Sequence, residues 1–315
     1  MSTSATRMPK LSPRMQVRYI KLGQGGGWED ECIKDGIIRY GFDSAKPGRF
    51  ELCIAGRWND LVKSFLAEGK TRGTATSFTN QTRRFLEDDG STLWITFKGE
   101  RLYWGTVEPT SPKPHADGDG VWRTMLGGWR STDLNGEILT KDKLSGALTK
   151  LAGFRGTSCS VDVSQYVIRR VNGQKTSEVE IALGALNTMK TSVLGLIRLL
   201  EPQDFETLVD LVFSTSGWRR LGPVGKTQKT LDLDLTLPST GDRAFVQVKA
   251  KTTSAELAEY VGKIDEFGPD YRMFYVYHSG DARTEDDRVI VIGPEKLSEM
   301  VLDAGLANWL IRKVS

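Results

Sequence analysis

The chain has 315 residues, 39% of them hydrophobic and 26% charged, with a formal net charge of +3. That length accommodates two domains with separate cores, the composition is that of a soluble globular protein, and no run of about 18 apolar residues is present to span a membrane. Two histidines (His115 and His278) leave little room for a Ser-His-Asp triad or a histidine-based nuclease finger. Three scattered cysteines (Cys32, Cys53 and Cys159) with no CxxC pair speak against a disulfide framework or a structural zinc site, and point to a reducing, cytoplasmic location.

Residues 1–14, MSTSATRMPKLSPR, are basic and rich in Ser and Thr. They lack an apolar stretch, so they read as a disordered arm and not as a secretory signal. From 15 to about 110 the chain alternates strands and short helices with many Gly and Trp. YIKLGQGGGWEDECIKDGIIRYGF (19–42) reads as strand, Gly-rich turn, short helix and strand. The glycines at 25–27 do not lie between a Rossmann strand and a long helix, which argues against a dinucleotide site. NQTRRFLEDDGSTLWITFKGERLYWGTVE (80–108) reads as a helix, a turn, and two strands joined by a tight KGER turn. A Pro/Gly/Asp loop over 110–120 holds His115. Residues 121–165 are β-rich and irregular.

The pattern then changes. Apolar residues at 179, 182, 183, 186, 189, 193, 196, 197 and 200 have helical spacing, and Ser177 with Glu180 has the form of a capping box. This helix, within a linker over 166–200, joins the two domains. A second helix starts at Pro202, with an apolar stripe of Phe205, Leu208, Val209, Val212 and Phe213, and stops at Gly217. Strands follow at 231–237, 244–250 and 272–278, with a helix between the last two. A strand at 288–293 and a closing helix at 295–313 complete an α/β domain around a mixed sheet over 201–315.

Within that domain, LDLDL places Asp232 and Asp234 on one face, and the next strand, FVQVKAK, places Gln247 and Lys249 on one face. Antiparallel pairing brings Asp232 near both. A carboxylate, an amide or backbone carbonyl oxygen and a lysine are the parts that Mg²⁺-assisted phosphodiester hydrolysis needs. Glu206, on the preceding helix, can complete the set through water. Between Arg219 and Lys251 there are seven Lys or Arg (219, 220, 226, 229, 243, 249, 251) against three Asp (232, 234, 242), a local excess suited to a phosphate backbone. Lys226, Lys229 and Lys251 are candidate phosphate contacts, or plain surface charge.

QDFETLVDLVFSTSGW, KTLDLDL and FVQVKAK together resemble the Mrr-type branch of the PD-(D/E)XK restriction-endonuclease superfamily, over about residues 195–315. The resemblance implies that Glu206 is the helix acid, Asp232 the strand acid, and Gln247 with Lys249 a QxK pair. Asp232, Gln247, the Val248 carbonyl and Glu206 would hold Mg²⁺, and Lys249 would orient the attacking water. The sequence GKTQKTLD stands where the branch is usually Gly-rich, so Asp234 stays open as the rival acid.

The front half, over roughly 16–110, resembles the EVE and YTH branch of PUA-like β-barrels: a Trp, a short helix, GIIRYGF, then a helix with Asn, Arg and Phe before a strand pair. The resemblance implies a reader domain over 15–165 that holds a flipped base against aromatic side chains. Trp28 is the first candidate wall. Trp94 and Trp104 are either pocket or core, and Trp129 is a further loop aromatic. Asn80 and Gln81 can bond a base edge, although Asn80 can equally cap a helix; Arg83 and Arg84 face phosphate or solvent.

The combined expectation is a two-domain α+β protein, a PUA-like barrel followed by a PD-(D/E)XK domain. It would act as a modification-dependent, Mg²⁺-dependent endonuclease on double-stranded DNA and work as a homodimer in restriction of phage DNA. A non-cleaving nucleic-acid-binding protein and an RNA-directed nuclease are the alternatives.

Overall fold

The computed structural model describes residues 9–41, 46, 48–221, 232–264 and 271–315. The chain divides into two compact units, meeting at Thr176 and Ser177.

The first unit contains β1 (Gln16–Ile20), α1 (Glu29–Asp35), β2 (Ile37–Tyr40), α2 (Arg49–Ile54), α3 (Trp58–Ala67), α4 (Arg72–Leu86), β3 (Thr92–Lys98), β4 (Arg101–Gly105), β5 (Lys113–Pro114), β6 (Val121–Thr124), α5 (Gly146–Thr149), β7 (Ser158–Ser160) and α6 (Ser164–Val171). One sheet has the order β4-β3-β1-β7 and the other β2-β6-β5. β1 and β3 run parallel, with Arg18 opposite Trp94, and the long stretch between them supplies the crossover a parallel pair requires. The central strands are buried on both faces. Val17, Tyr19, Leu93 and Ile95 pack into one cluster, while Ile20 and Trp94 pack into another with Phe85 and Tyr40. The β3–β4 turn is the expected KGER hairpin, with Gly99 at φ +54°.

The first unit departs from the expected barrel. Its strands remain in two sheets, and no closed barrel forms among the described residues. Trp104↔Arg130 and Val107↔Met125 pair only as isolated bridges. Gly127, Gly128 and Gly136 in this stretch all adopt positive φ. The described part of the N-terminal arm is also tied down. Leu11 exchanges two hydrogen bonds with the Asn172 side chain (2.8 and 3.0 Å), and Gln165 donates to the Pro13 carbonyl.

The second unit contains α7 (Ser177–Ile197), α8 (Pro202–Thr215), β8 (Arg219–Arg220), β9 (Leu233–Leu237), β10 (Asp242–Thr253), α9 (Ser254–Val261), β11 (Tyr271–Asp281), β12 (Val289–Ile292), α10 (Pro294–Asp303) and α11 (Ala307–Val314). The sheet order is β12-β11-β10-β9-β8. β10 is antiparallel to β9 and parallel to β11, so the sheet is mixed, as the sequence order suggests. Alternation along β10 divides the core. Val246 and Val248 pack against the α8 stripe of Phe205, Leu208, Val209 and Val212. Phe245 points to the other face, with Tyr275 and Leu257 of α9.

The closing segment is two helices rather than one, because Gly305 adopts φ +70° after α10. The expected linker over 166–200 is divided as well, since α6 belongs to the first unit and α7 to the second. In α7, Val193 and Ile197 are buried, whereas Val179, Leu183, Leu186 and Met189 are exposed.

Candidate active site

Gln247 and Lys249 lie on the α9 face of β10, between the buried Phe245 and the strand's exposed end. Asp232 immediately precedes β9. The β9–β10 register runs Phe245↔Asp234 and Val246↔Leu233, which places Asp232 beside Gln247 just past the last ladder pair. The ladder stops there, so β10 presents backbone groups to a side chain. Asp232 Oδ2 accepts from the Gln247 amide Nε2 at 2.5 Å and from the Val248 N–H at 2.6 Å. Arg220 Nη2 donates to the Asp232 carbonyl at 3.3 Å and fixes the residue's backbone.

Burial pushes the Asp232 carboxyl up, opposed by the Val248 N–H and the Lys249 charge. Glu206 is exposed on α8; partial burial and then the field of Asp232 push it up too. Burial also raises Asp234, whose strand partner is Phe245. Of the two candidate acids, Asp232 makes the contacts to Gln247 and Val248.

Lys249 Nζ lies 3.1 Å from Glu256 Oε1 and 5.0 Å from the centre of the Tyr260 ring. Burial works against its charge, but hydrogen bonds to Tyr260 and Glu256 outweigh it and hold the ammonium above its ordinary range. Glu256 and Tyr260 are absent from the sequence-based site, although a signal was available. Thr253 accepts from the Glu256 N–H at 3.3 Å, a capping geometry that TSAE directly after the QVK strand foreshadows. Lys251 is exposed two residues beyond Lys249; Lys226 and Lys229 lie outside the described residues.

Among the described residues, no group of three or more His, Cys, Asp or Glu side chains gathers to hold a metal. The oxygen-donor set nonetheless suits Mg²⁺. Gln247 is 5% exposed and its Oε1 is buried with no hydrogen-bond partner. The Val248 carbonyl leaves the strand by the same edge as the N–H bound to Asp232. An amide oxygen, a carboxylate and a main-chain carbonyl are hard ligands of the type this ion takes.

In the first unit, Trp28 lines a cavity of about 510 Å³ together with Lys21, Gln24, Asp119, Arg155 and Thr157. The Arg39 guanidinium covers one ring face at 4.1 Å. Gly23 must be glycine, because a Cβ there would meet the Trp28 ring at 2.9 Å and its φ is +82°. Arg39 also binds Asp117 and holds that carboxyl below its usual range; His115 bridges Glu31 and Asp117 at 2.8 and 2.9 Å.

Trp94 and Trp104 do not reach the cavity. They are 0% and 1% exposed, with their indole N–H groups donated to Asp88 Oδ2 and the Thr132 carbonyl, so they are core. Trp129 donates to the Ile37 carbonyl. Asn80 sits in mid-helix and caps nothing, since Thr71 caps α4. It lines a different cavity from Trp28, together with Gln81 and Arg84. Arg83 pairs with Glu87.

No protein-family model matches the chain, and no curated protein matches it. Among solved structures, it is similar to the MspJI restriction endonuclease in complex with a 27-mer oligonucleotide. That similarity has 13% identity and a TM-score of 0.25, and covers 76% of this chain and 68% of that chain. A likeness at that score carries no argument, and the functional reading rests on the residues above.

Proposed function

We propose that the chain is a Mg²⁺-dependent endonuclease acting on modified double-stranded DNA, with base recognition in the first unit and phosphodiester hydrolysis in the second. The observation that carries the reading is the Asp232 carboxylate seated on Gln247 and Val248 at the end of the β9–β10 ladder, with the buried Gln247 Oε1 left unpartnered. Asp232, Gln247, the Val248 carbonyl and, through water, Glu206 would hold the ion. When bound, Mg²⁺ polarises the scissile phosphate and offsets the charge that develops on it.

The protein's own groups do the rest. The Val248 N–H and the Gln247 amide fix one Asp232 oxygen and orient the other. Lys249, held by Glu256 and Tyr260, presents a fixed ammonium that orients the attacking water and stabilises negative charge as the phosphorus–oxygen bond forms. In the first unit, Trp28, with one face already against Arg39, offers its remaining surface to a base extruded from the stack.

Cutting both strands needs two such sites, so the reading includes a homodimer. Val179, Leu183 and Leu186 recur at helical spacing on the exposed face of α7, and we assign the dimer contact to it.

The test is digestion of a panel of DNAs carrying different cytosine and adenine modifications, with Mg²⁺ and with EDTA. Mg²⁺-dependent cutting of at least one modified DNA, abolished in Asp232→Ala with binding retained, is the expected result. The absence of a third clustered acid among the described residues and the engagement of Lys249 by Glu256 favour a second reading, a binder without cleavage. Binding of modified DNA with no cutting by the wild type supports that one. Cutting of RNA in place of DNA would redirect the substrate assignment.

A further inference from the structure

Among the described residues of the first unit, four arginines are almost fully buried: Arg18 (4% exposed), Arg39 (1%), Arg49 (5%) and Arg123 (3%). Three have strong acceptors. Arg39 binds Asp117 and Glu31. Arg49 binds Glu68 at 2.6 Å. Arg123 donates to the carbonyls of Phe85, Asp88, Glu108 and Thr110.

Arg18 is different. Its hydrogen bonds go to two neutral hydroxyls, Ser160 Oγ at 3.2 Å and Ser158 Oγ at 3.1 Å, and its Nε is buried with no partner. Asp88 attracts it weakly and is already engaged by Trp94 Nε1 and the N–H groups of Gly90 and Thr92. Burial and the charge of Arg84 both work against the guanidinium, which stays charged nonetheless. A desolvated cation without a counter-charge is costly. That cost is relieved if an anion enters from solvent.

The surroundings admit one. Arg18 lies on the floor of a cavity of about 500 Å³, walled on one side by Ser158 and Ser160 of β7 and on the other by one face of α4. That face presents Ser77, Asn80, Gln81 and Arg84, and Gly73 leaves space at its head. Among the described residues no Asp or Glu lines the cavity. Arg84 is exposed at its rim. The Ser158 and Ser160 hydroxyls accept from Arg18, so their hydrogens are free to turn toward a ligand oxygen. Two guanidiniums, hydroxyl donors and side-chain amides around one cavity match the fork geometry and hydrogen-bonding needs of a phosphate.

We propose that the Arg18 cavity of the first unit binds a phosphate group, of the kind carried by a nucleic-acid backbone or by a free nucleotide. This goes beyond the nuclease reading and does not depend on cleavage, because the binding needs no divalent ion.

The test uses the full chain in EDTA. Inorganic phosphate and a fluorescently labelled duplex oligonucleotide are each titrated against wild type, Arg84→Glu and Arg18→Lys, the duplex at several salt concentrations. Trp94 lies against Arg18, at 5.9 Å, so tryptophan fluorescence reports occupancy. In wild type, phosphate is expected to change that fluorescence and raise the unfolding temperature, and in Arg84→Glu to do neither. If the source is a nucleic-acid backbone, Arg84→Glu weakens duplex binding about tenfold and makes the salt slope shallower by about one. If the source is a free nucleotide or phosphate, duplex affinity is unchanged while the phosphate response is lost. Arg84 is exposed, so its variant tests the site even if Arg18→Lys fails to fold. Wild-type responses to both probes in Arg84→Glu, or no response to phosphate or duplex in the wild type, overturn the proposal.

Discussion

Lys249 Nζ sits 3.1 Å from Glu256 Oε1, linking the middle of β10 to the first turn of the helix that follows it. The pair is partly shielded, with the two side chains 27% and 35% exposed, so it contributes little to stability and fixes a position instead. Lys249→Ala is expected to lower Mg²⁺-dependent cleavage by about 100-fold or more while DNA binding and the unfolding midpoint stay close to wild type. Glu256→Gln, which loosens the lysine without removing it, is expected to give an intermediate loss. Single-turnover cleavage alongside gel-shift binding checks both, and a fully active Lys249→Ala would remove the lysine from the mechanism.

Asp232 has a structural task that is separable from chemistry. Its Oδ2 accepts two hydrogen bonds where the ladder ends. Asp232→Ala leaves the Val248 N–H and the Gln247 amide without that acceptor and is expected to cost about 1–3 kcal/mol. Asp232→Asn retains one acceptor oxygen and should cost less, yet lose cleavage as completely. Urea denaturation of both variants measures the difference; two variants as stable as the wild type would show that the bonds to Asp232 are dispensable.

The tryptophans of the first unit should separate cleanly. Trp94 is fully buried and bonded to Asp88, so Trp94→Ala is expected to destabilise by about 3–5 kcal/mol, with any loss of DNA binding following from unfolding. Trp28→Ala, at the cavity wall, is expected to cost less stability and to abolish discrimination between modified and unmodified duplexes. Preserved discrimination in Trp28→Ala would rule out the Trp28 cavity as the reader.

His278 supplies a pH dependence. It is 7% exposed, stacks edge-on against Phe205 at 4.9 Å, and is pushed below its ordinary pKa by burial and then by Arg198. The unfolded chain therefore binds a proton more readily than the folded one. The neutral ring's contribution is fully present above the unfolded value of about 6.5 and declines as pH falls below it. Urea midpoints for the second unit at about pH 7.5 and about pH 5.5 should differ more in wild type than in His278→Asn. Identical pH dependence in the two proteins would contradict this.

The exposed face of α7 makes self-association measurable. Val179, Leu183 and Leu186 are 46%, 40% and 45% exposed. Sedimentation velocity is expected to show concentration-dependent dimerisation of the wild type, and monomers for Leu183→Lys. A wild type that remains monomeric at high concentration, or a Leu183→Lys variant that still dimerises, would count against the assignment.

Local pattern was enough for most of the second unit's elements, though not for β8 or the break at Gly305, because the determinants of the others are short-range. Alternation in FVQVKAK sets which residues share a face, Pro202 and the Phe205–Val212 stripe set α8, and the TLDLDL and VQVK runs set adjacent strands. It was insufficient for the first unit's sheets. Trp94 and Trp104 have the same composition signal as Trp28, and burial depends on which strands cover them. Closure of the strands into a barrel depends on long-range pairing, and the first unit's strands form two separate sheets among the described residues.

The sequence by itself determined α8, the four longer strands and α9 of the second unit and the residue types at its candidate site, since periodicity and spacing are properties of neighbours along the chain, but not β8 or the break between α10 and α11. Tertiary structure alone decided that Asp232 and not Asp234 meets Gln247, that Glu256 reaches Lys249, and that Arg18 is buried with its hydrogen bonds going to hydroxyls and not to a carboxylate. Each depends on register or on the packing of segments distant in sequence, and a change of one residue in pairing would send those side chains to the opposite face.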